Sequence, residues 1–219
     1  FTMYGGEITG NKVLNGSVSV SYGGGVYVDG GSFELSGDAI ISQNQTANNG
    51  WGGGVYLSGG TFTMSGNATI AENTAACGGG VYMNSAPTFN MNGGSIYKNT
   101  ATGDGGGVYA YSGTLNMSGT AQIAENTATG EGGGAFVNSS ATLNMSDSAS
   151  ITDNKTTGSA SCGGGVYVAN GKLTMSGESS ISKNTAPNNS GGGVVLYGSN
   201  GTFTMSDKAK VSENVAKNN

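Results

Sequence analysis

A six-residue phrase, Gly52-Gly53-Gly54-Val55-Tyr56-Leu57, returns along the whole chain and limits what it can fold into. Its triple glycine starts again at Gly23, Gly78, Gly105, Gly132, Gly163 and Gly191, at intervals of 26 to 31 residues. A period in the twenties marks a stacked solenoid, in which each repeat buries its apolar face only against its neighbours.

Two further phrases keep step with it. One is Phe1-Thr2-Met3, repeated as Phe33-Glu34-Leu35, Phe62-Thr63-Met64, Phe89-Asn90-Met91, Leu115-Asn116-Met117, Leu143-Asn144-Met145, Leu173-Thr174-Met175 and Phe203-Thr204-Met205. The other is typified by Ala68-Thr69-Ile70 followed by Asn73, and places Asn at 11, 44, 73, 99, 126, 154, 184 and 214. Period-two alternation bounded by Gly, Ser, Asn and Asp reads as a strand with one buried face. No window has the periodicity of an amphipathic helix.

Three short strands per repeat predict an all-β, parallel β-helix of about eight coils, right-handed because parallel crossovers overwhelmingly are. At ~4.8 Å per coil the rod is roughly 35–40 Å long. The inward columns are Val26, Val55, Val81 and Val108; Phe33, Phe62, Phe89 and Leu115; Leu35, Met64, Met91 and Met117; and Ile41, Ile70, Ile96 and Ile123, with small Ala39, Ala68, Ala121 and Ala149 beside them. The Asn column falls three residues beyond the inward Ile, where stacked amides can bond from coil to coil. Gly37, Gly66, Gly93, Gly119 and Gly177 alternate with Asp147 and Asp207 at one position, which predicts a left-handed turn residue.

Residues 1–219 read as a single repeat array that opens and closes in mid-repeat, an excerpt of a longer surface protein. Gly supplies 43 residues without any Gly-X-Y register, which excludes collagen. A net charge of −5 with no His or Arg argues against nucleic acid and anionic membranes as partners, and no apolar run is long enough to span a bilayer. Cys77 and Cys162 sit three repeats apart, roughly 14 Å along a stack, too far for a disulfide. No motif implies a cofactor or a metal ion.

The GGGV or GGGA and IxxN motifs resemble the repeats of polymorphic outer-membrane protein (Pmp) passengers and of adhesin-like β-helix proteins on bacterial surfaces. The resemblance spans the chain and implies an extracellular, surface-displayed bacterial rod used in adhesion, not an enzyme. Its partner would be a host glycan or protein, with the fragment monomeric in isolation and open to end-to-end stacking.

The sharpest candidate for ligand binding is the column Tyr27, Tyr56, Tyr82, Tyr109, Phe136 and Tyr167. It alternates with inward Val, so its rings are expected to face outward and, with Trp51 and Tyr22, to form a platform for sugar rings over a floor of bare glycine. The competing reading is scaffold: stacked aromatics that stabilise neighbouring strands. A column of Glu72, Lys98, Glu125, Asp153, Lys183 and Glu213 reads as a solvated ion-pair ladder. Asp104 and Glu131, in consecutive coils before GGG, have the spacing of a glycosidase pair or part of a calcium site, though turn residues are the plainer reading. The outward Thr2, Glu34, Thr63 and Asn90 column is too interrupted for an ice-binding array. The functional expectation is therefore an adhesin segment, with a passive stalk as the alternative and a polysaccharide lyase or hydrolase third. Repeat length varies most between the Asn and the next GGG, at 5 to 12 residues, so function is expected beside that corner.

Overall fold

In the computed structural model, which describes residues 1–14, 20–47, 49–187 and 190–217, every strand pairing is parallel and joins one coil to the next. The chain is an all-β parallel solenoid. The Ile strands form an eight-stranded sheet from Glu7–Thr9 to Lys210–Ser212, so eight rungs enclose seven full turns rather than eight.

Four of the coils hold four strand segments in three sheets, one more than the three expected, and the other complete coils hold three. In one of the four they are Val55–Ser58, Thr61–Met64, Thr69–Ala71 and Thr74–Ala75. The first two belong to a single thirteen-stranded sheet, because in the middle of the rod the bend between them straightens into continuous strands, Val108–Met117 and Ala135–Met145. The third sheet is a six-stranded stack of two-residue strands after the Asn, from Thr74–Ala75 to Val215–Ala216. Two residues are too few to display an alternation.

Register follows the repeat. Val81 pairs with Val55 and Val108, Phe89 with Phe62 and Leu115, and Ile96 with Ile70 and Ile123. These residues are buried in one continuous core with Met64, Met91 and Met117. Each such side chain contributes about 1.5–3 kcal/mol by leaving water. Phe1, Phe33, Phe62 and Phe89 add a stacked row, with ring centroids 4.4 to 5.3 Å apart.

The Asn column is a buried ladder. Asn73 donates its backbone N–H and its Nδ2 to Oδ1 of Asn99, both at 3.0 Å, and uses the remaining Nδ2 hydrogen on the Ile41 carbonyl, also at 3.0 Å. The same pattern repeats through Asn99, Asn126, Asn154 and Asn184. One amide thus ties three coils and leaves neither of its hydrogens unpaired.

The residue just before each ladder Asn is left-handed. Gln43, Glu72, Lys98, Glu125, Asp153, Lys183 and Glu213 have φ of 54–57°, and Gly10 holds the same place in the first rung. This is where the chain turns from the second sheet into the third. The charged column therefore marks a turn with a backbone cost. As an ion-pair ladder it is sparse: among the described residues Lys98–Glu125 is its one salt bridge, at 3.9 Å with both side chains more than half exposed.

The other expected turn position has positive φ at Gly37, Gly66, Gly119, Asp147, Gly177 and Asp207, but at Gly94 instead of Gly93. That coil is one residue shorter between its Met and its Ile. Gly94 also stands close to where its neighbours carry Ala, since a Cβ there would come within 2.4 Å of the Ala68 carbonyl oxygen.

Candidate functional site

The triple glycine has an internal cause. Its first residue is left-handed in all seven copies, with φ of 61–69°. A Cβ on the second, Gly53, would come within 2.4 Å of the Gly79 carbonyl oxygen and 2.8 Å of the Thr74 backbone. A Cβ on the third, Gly54, would meet Nδ2 of Asn73 at 3.0 Å and Cγ2 of Ile70 at 2.9 Å. The coil is pinched there, with the GGG segment lying directly against the ladder and the third sheet. The glycines are filled from inside and are not a bare floor for a ligand, which corrects the expectation from sequence.

The aromatic column lies on the other side of that strand, outside the main core. Tyr27, Tyr56, Tyr82, Tyr109, Phe136 and Tyr167 stack nearly parallel, with centroids 4.6 to 5.4 Å apart. Tyr197, two residues beyond the strand partner Val195, continues the row at 6.0 Å from Tyr167. The stack does not form an open platform. Tyr56 and Tyr82 are each only 4% exposed and Phe136 is buried, while Tyr27 at the end of the row is 49% exposed. Rings about 5 Å apart cover each other's faces, and Tyr22 and Trp51, each just before a GGG, pack against Tyr56 and Tyr82.

The residues before GGG form a second column, Tyr22, Trp51, Cys77, Asp104, Glu131, Cys162 and Ser190, joined at its start by the bridges Tyr22↔Trp51↔Cys77. Its rings lean one coil forward. Tyr22 lies 4.7 Å from Tyr56, and Trp51 stacks on Tyr82 at 5.0 Å and 10°. The next member is Cys77, which is too short to carry a ring onto Tyr109.

The result is a hollow of about 420 Å³ lined by Trp51, Cys77, Tyr82, Asn84, Tyr109 and Tyr111, within the size range of small-ligand sites. It lies where the corner loops are shortest, 5 residues from Asn73 to Gly78 and 6 from Asn99 to Gly105. Comparison of the chain with protein-family models, with curated proteins and with solved structures finds no match. The site is therefore read from its own geometry.

Of the sequence candidates, Trp51, Tyr82 and Tyr109 line this hollow; Tyr56 borders it, its hydroxyl accepting a hydrogen bond from Asn84 Nδ2 at 3.1 Å. Tyr27 lies at one end of the stack and Tyr167 toward the other, away from the hollow. Sequence reasoning missed Asn84 and Tyr111. Tyr111, 48% exposed, stands two residues beyond Tyr109 in the same strand and hence on the same face, a signal that period-two alternation did contain.

Burial raises the phenol pKa of Tyr56, Tyr82 and Tyr109, and pushes Tyr167 up to about 12. These hydroxyls stay protonated and neutral at physiological pH. Burial likewise raises the Cys77 thiol, with the Asp104 charge acting in the same direction, so Cys77 is not a thiolate nucleophile. Cys77 and Cys162 are both free thiols, with Asp104 and Glu131 between them in the column.

The two carboxylates are engaged one coil onward. Asp104 Oδ1 accepts the Glu131 backbone N–H at 2.8 Å, and Glu131 Oε2 accepts that of Cys162. Burial raises the pKa of both, and for Glu131 the Asp104 charge adds to it. Each oxygen closes a backbone donor of the next rung, which accounts for acids at these positions structurally. Among the described residues no group of three or more His, Cys, Asp and Glu is arranged to hold a metal ion.

Proposed function

We propose that this chain is a non-catalytic recognition segment of an adhesin-like, extracellular bacterial surface rod, binding a host glycan or protein on its aromatic flank. The reading rests on the hollow at Trp51, Cys77, Tyr82, Asn84, Tyr109 and Tyr111, where the outer column passes from rings to Cys77 and leaves Tyr111 exposed and Tyr109 half-buried. Large rigid rings with polar tips supply contact area at little entropic cost, and aromatic residues are enriched at binding surfaces. The GGGV and IxxN repeats that resemble Pmp and adhesin passengers support the same reading.

The experiment is a glycan-array and mucin-binding screen of the 219-residue chain beside a Trp51→Ala, Tyr111→Ala double variant. Neither ring belongs to the main core, so the variant is expected to keep its fold by circular dichroism. Binding by the wild type that the variant loses supports recognition at the flank. Equal binding by both would move recognition elsewhere on the rod. No binding by either favours a passive stalk, the reading consistent with the burial of Tyr56 and Tyr82.

A further inference from the structure

The outer column carries more information than the presence of a hollow. Its first two rings each lie against the inner ring of the next coil, Tyr22 tilted at 49° to Tyr56 and Trp51 nearly parallel to Tyr82. By that pattern a ring at the Cys77 position would lie beside Tyr109, in the hollow that Trp51, Tyr82 and Tyr111 also line.

The chemistry of the lining narrows the occupant. Its polar groups are the phenols of Tyr82, Tyr109 and Tyr111, the Asn84 amide and a protonated thiol, so hydroxyl partners find both donors and acceptors. No Lys lines it, and the next two members of the column are Asp104 and Glu131. An anionic ligand would enter against like charge with no cation to pair with.

We infer that the hollow receives one uncharged pyranose ring, packed against Trp51 and Tyr111 beside the open edge of Tyr109, where the Cys77 side chain is too short to carry a ring. This rests on the recognition reading above and makes it specific: neutral hexoses or N-acetylhexosamines, not sialylated, uronic or sulfated sugars.

Trp51 is the chain's single tryptophan and lies in the wall of the hollow, so its fluorescence reports this site alone. The intact chain is titrated with methyl glycosides of glucose, galactose, N-acetylglucosamine and N-acetylgalactosamine, and with N-acetylneuraminic acid and glucuronic acid. The expected result is a saturable Trp51 response to at least one neutral glycoside and none to the acids. Cys77→Phe supplies the ring and is expected to abolish the response while the protein stays folded. If that variant does not fold, Tyr111→Ala, which removes an exposed wall, is expected to abolish it instead.

An equal response to the acidic sugars overturns the inference, as does a response that survives both variants. Glycan binding in the array screen without any Trp51 response leaves the recognition reading standing and overturns this one. A response to an N-acetyl tyrosine amide but to no glycoside overturns it in favour of a protein side chain as the occupant.

Discussion

The side-chain amide of Asn73 lies directly across the coil from Cα of Gly54, so that a Cβ on that glycine would stand 3.0 Å from Nδ2. The same pairing joins Asn99 to Gly80, Asn126 to Gly107 and Asn154 to Gly134. The two most regular features of the sequence, the triple glycine and the Asn column, are therefore two sides of one contact. Gly54→Ala is expected to lower stability by about 1–3 kcal/mol, the cost of forcing a methyl group into a packed interior. Gly5→Ala, where a Cβ meets no atom within 4 Å and φ is not positive, is the control and is expected to shift the denaturant midpoint little. Equal midpoints for the two variants would sink the pinched-coil account.

The ladder makes a second prediction. Asn99→Ala removes the acceptor of two Asn73 donors and the donor to the Ile70 carbonyl, all buried. Each orphaned group costs about 1–3 kcal/mol, so a loss of at least about 3 kcal/mol is expected in urea unfolding. Asn11→Ala, in the exposed first rung, removes only the end of the ladder and is expected to cost far less.

Two buried hydroxyls point the other way. Among the described residues Thr156 Oγ1 and Ser179 Oγ have no hydrogen-bond partner, in columns that elsewhere hold Ala101 and Ala128, and Ala121 and Ala149. Thr156→Val and Ser179→Ala each remove an unsatisfied polar group with little change of shape. Each is expected to raise stability by about 1 kcal/mol, read as a higher denaturant midpoint. A lower midpoint for both would show that these hydroxyls have partners in solution.

The pH dependence follows from Asp104 and Glu131. Burial raises both carboxyl pKa values in the folded state, so folding favours their protonated forms. Their contribution is fully present below the ordinary carboxyl pKa of about 4 and is lost as pH rises through the raised folded values. Asp104→Asn keeps an acceptor for the Glu131 N–H and removes the charge. It is expected to raise the midpoint at neutral pH, with the gain shrinking toward pH 4. A gain that is constant with pH would rule out titration as its source.

Much of the solenoid was legible because stacking converts a sequence period into a contact. Val55, Phe62, Ile70 and Asn73 each meet their equivalents one coil away, and their columns follow from counting. The Thr74–Ala75 strand was not legible, because two residues cannot show an alternation and pairing alone defines them. Nor was the shift from Gly93 to Gly94, since a one-residue deletion is visible in sequence but the place where the backbone absorbs it is not.

The sequence by itself determined the repeat, the register and which side of each strand a residue takes, because these depend on period and spacing. Only the tertiary structure decided how far apart the walls of the coil lie and what covers its outer face. It set the glycines against the Asn ladder, closed the rings of Tyr56 and Tyr82 under their neighbours, and left an opening beside Tyr109. The physical reason is that alternation fixes the direction of a side chain but not the distance to what it faces. That distance depends on which rings lean from one coil onto the next, and Cys77 is where the leaning stops.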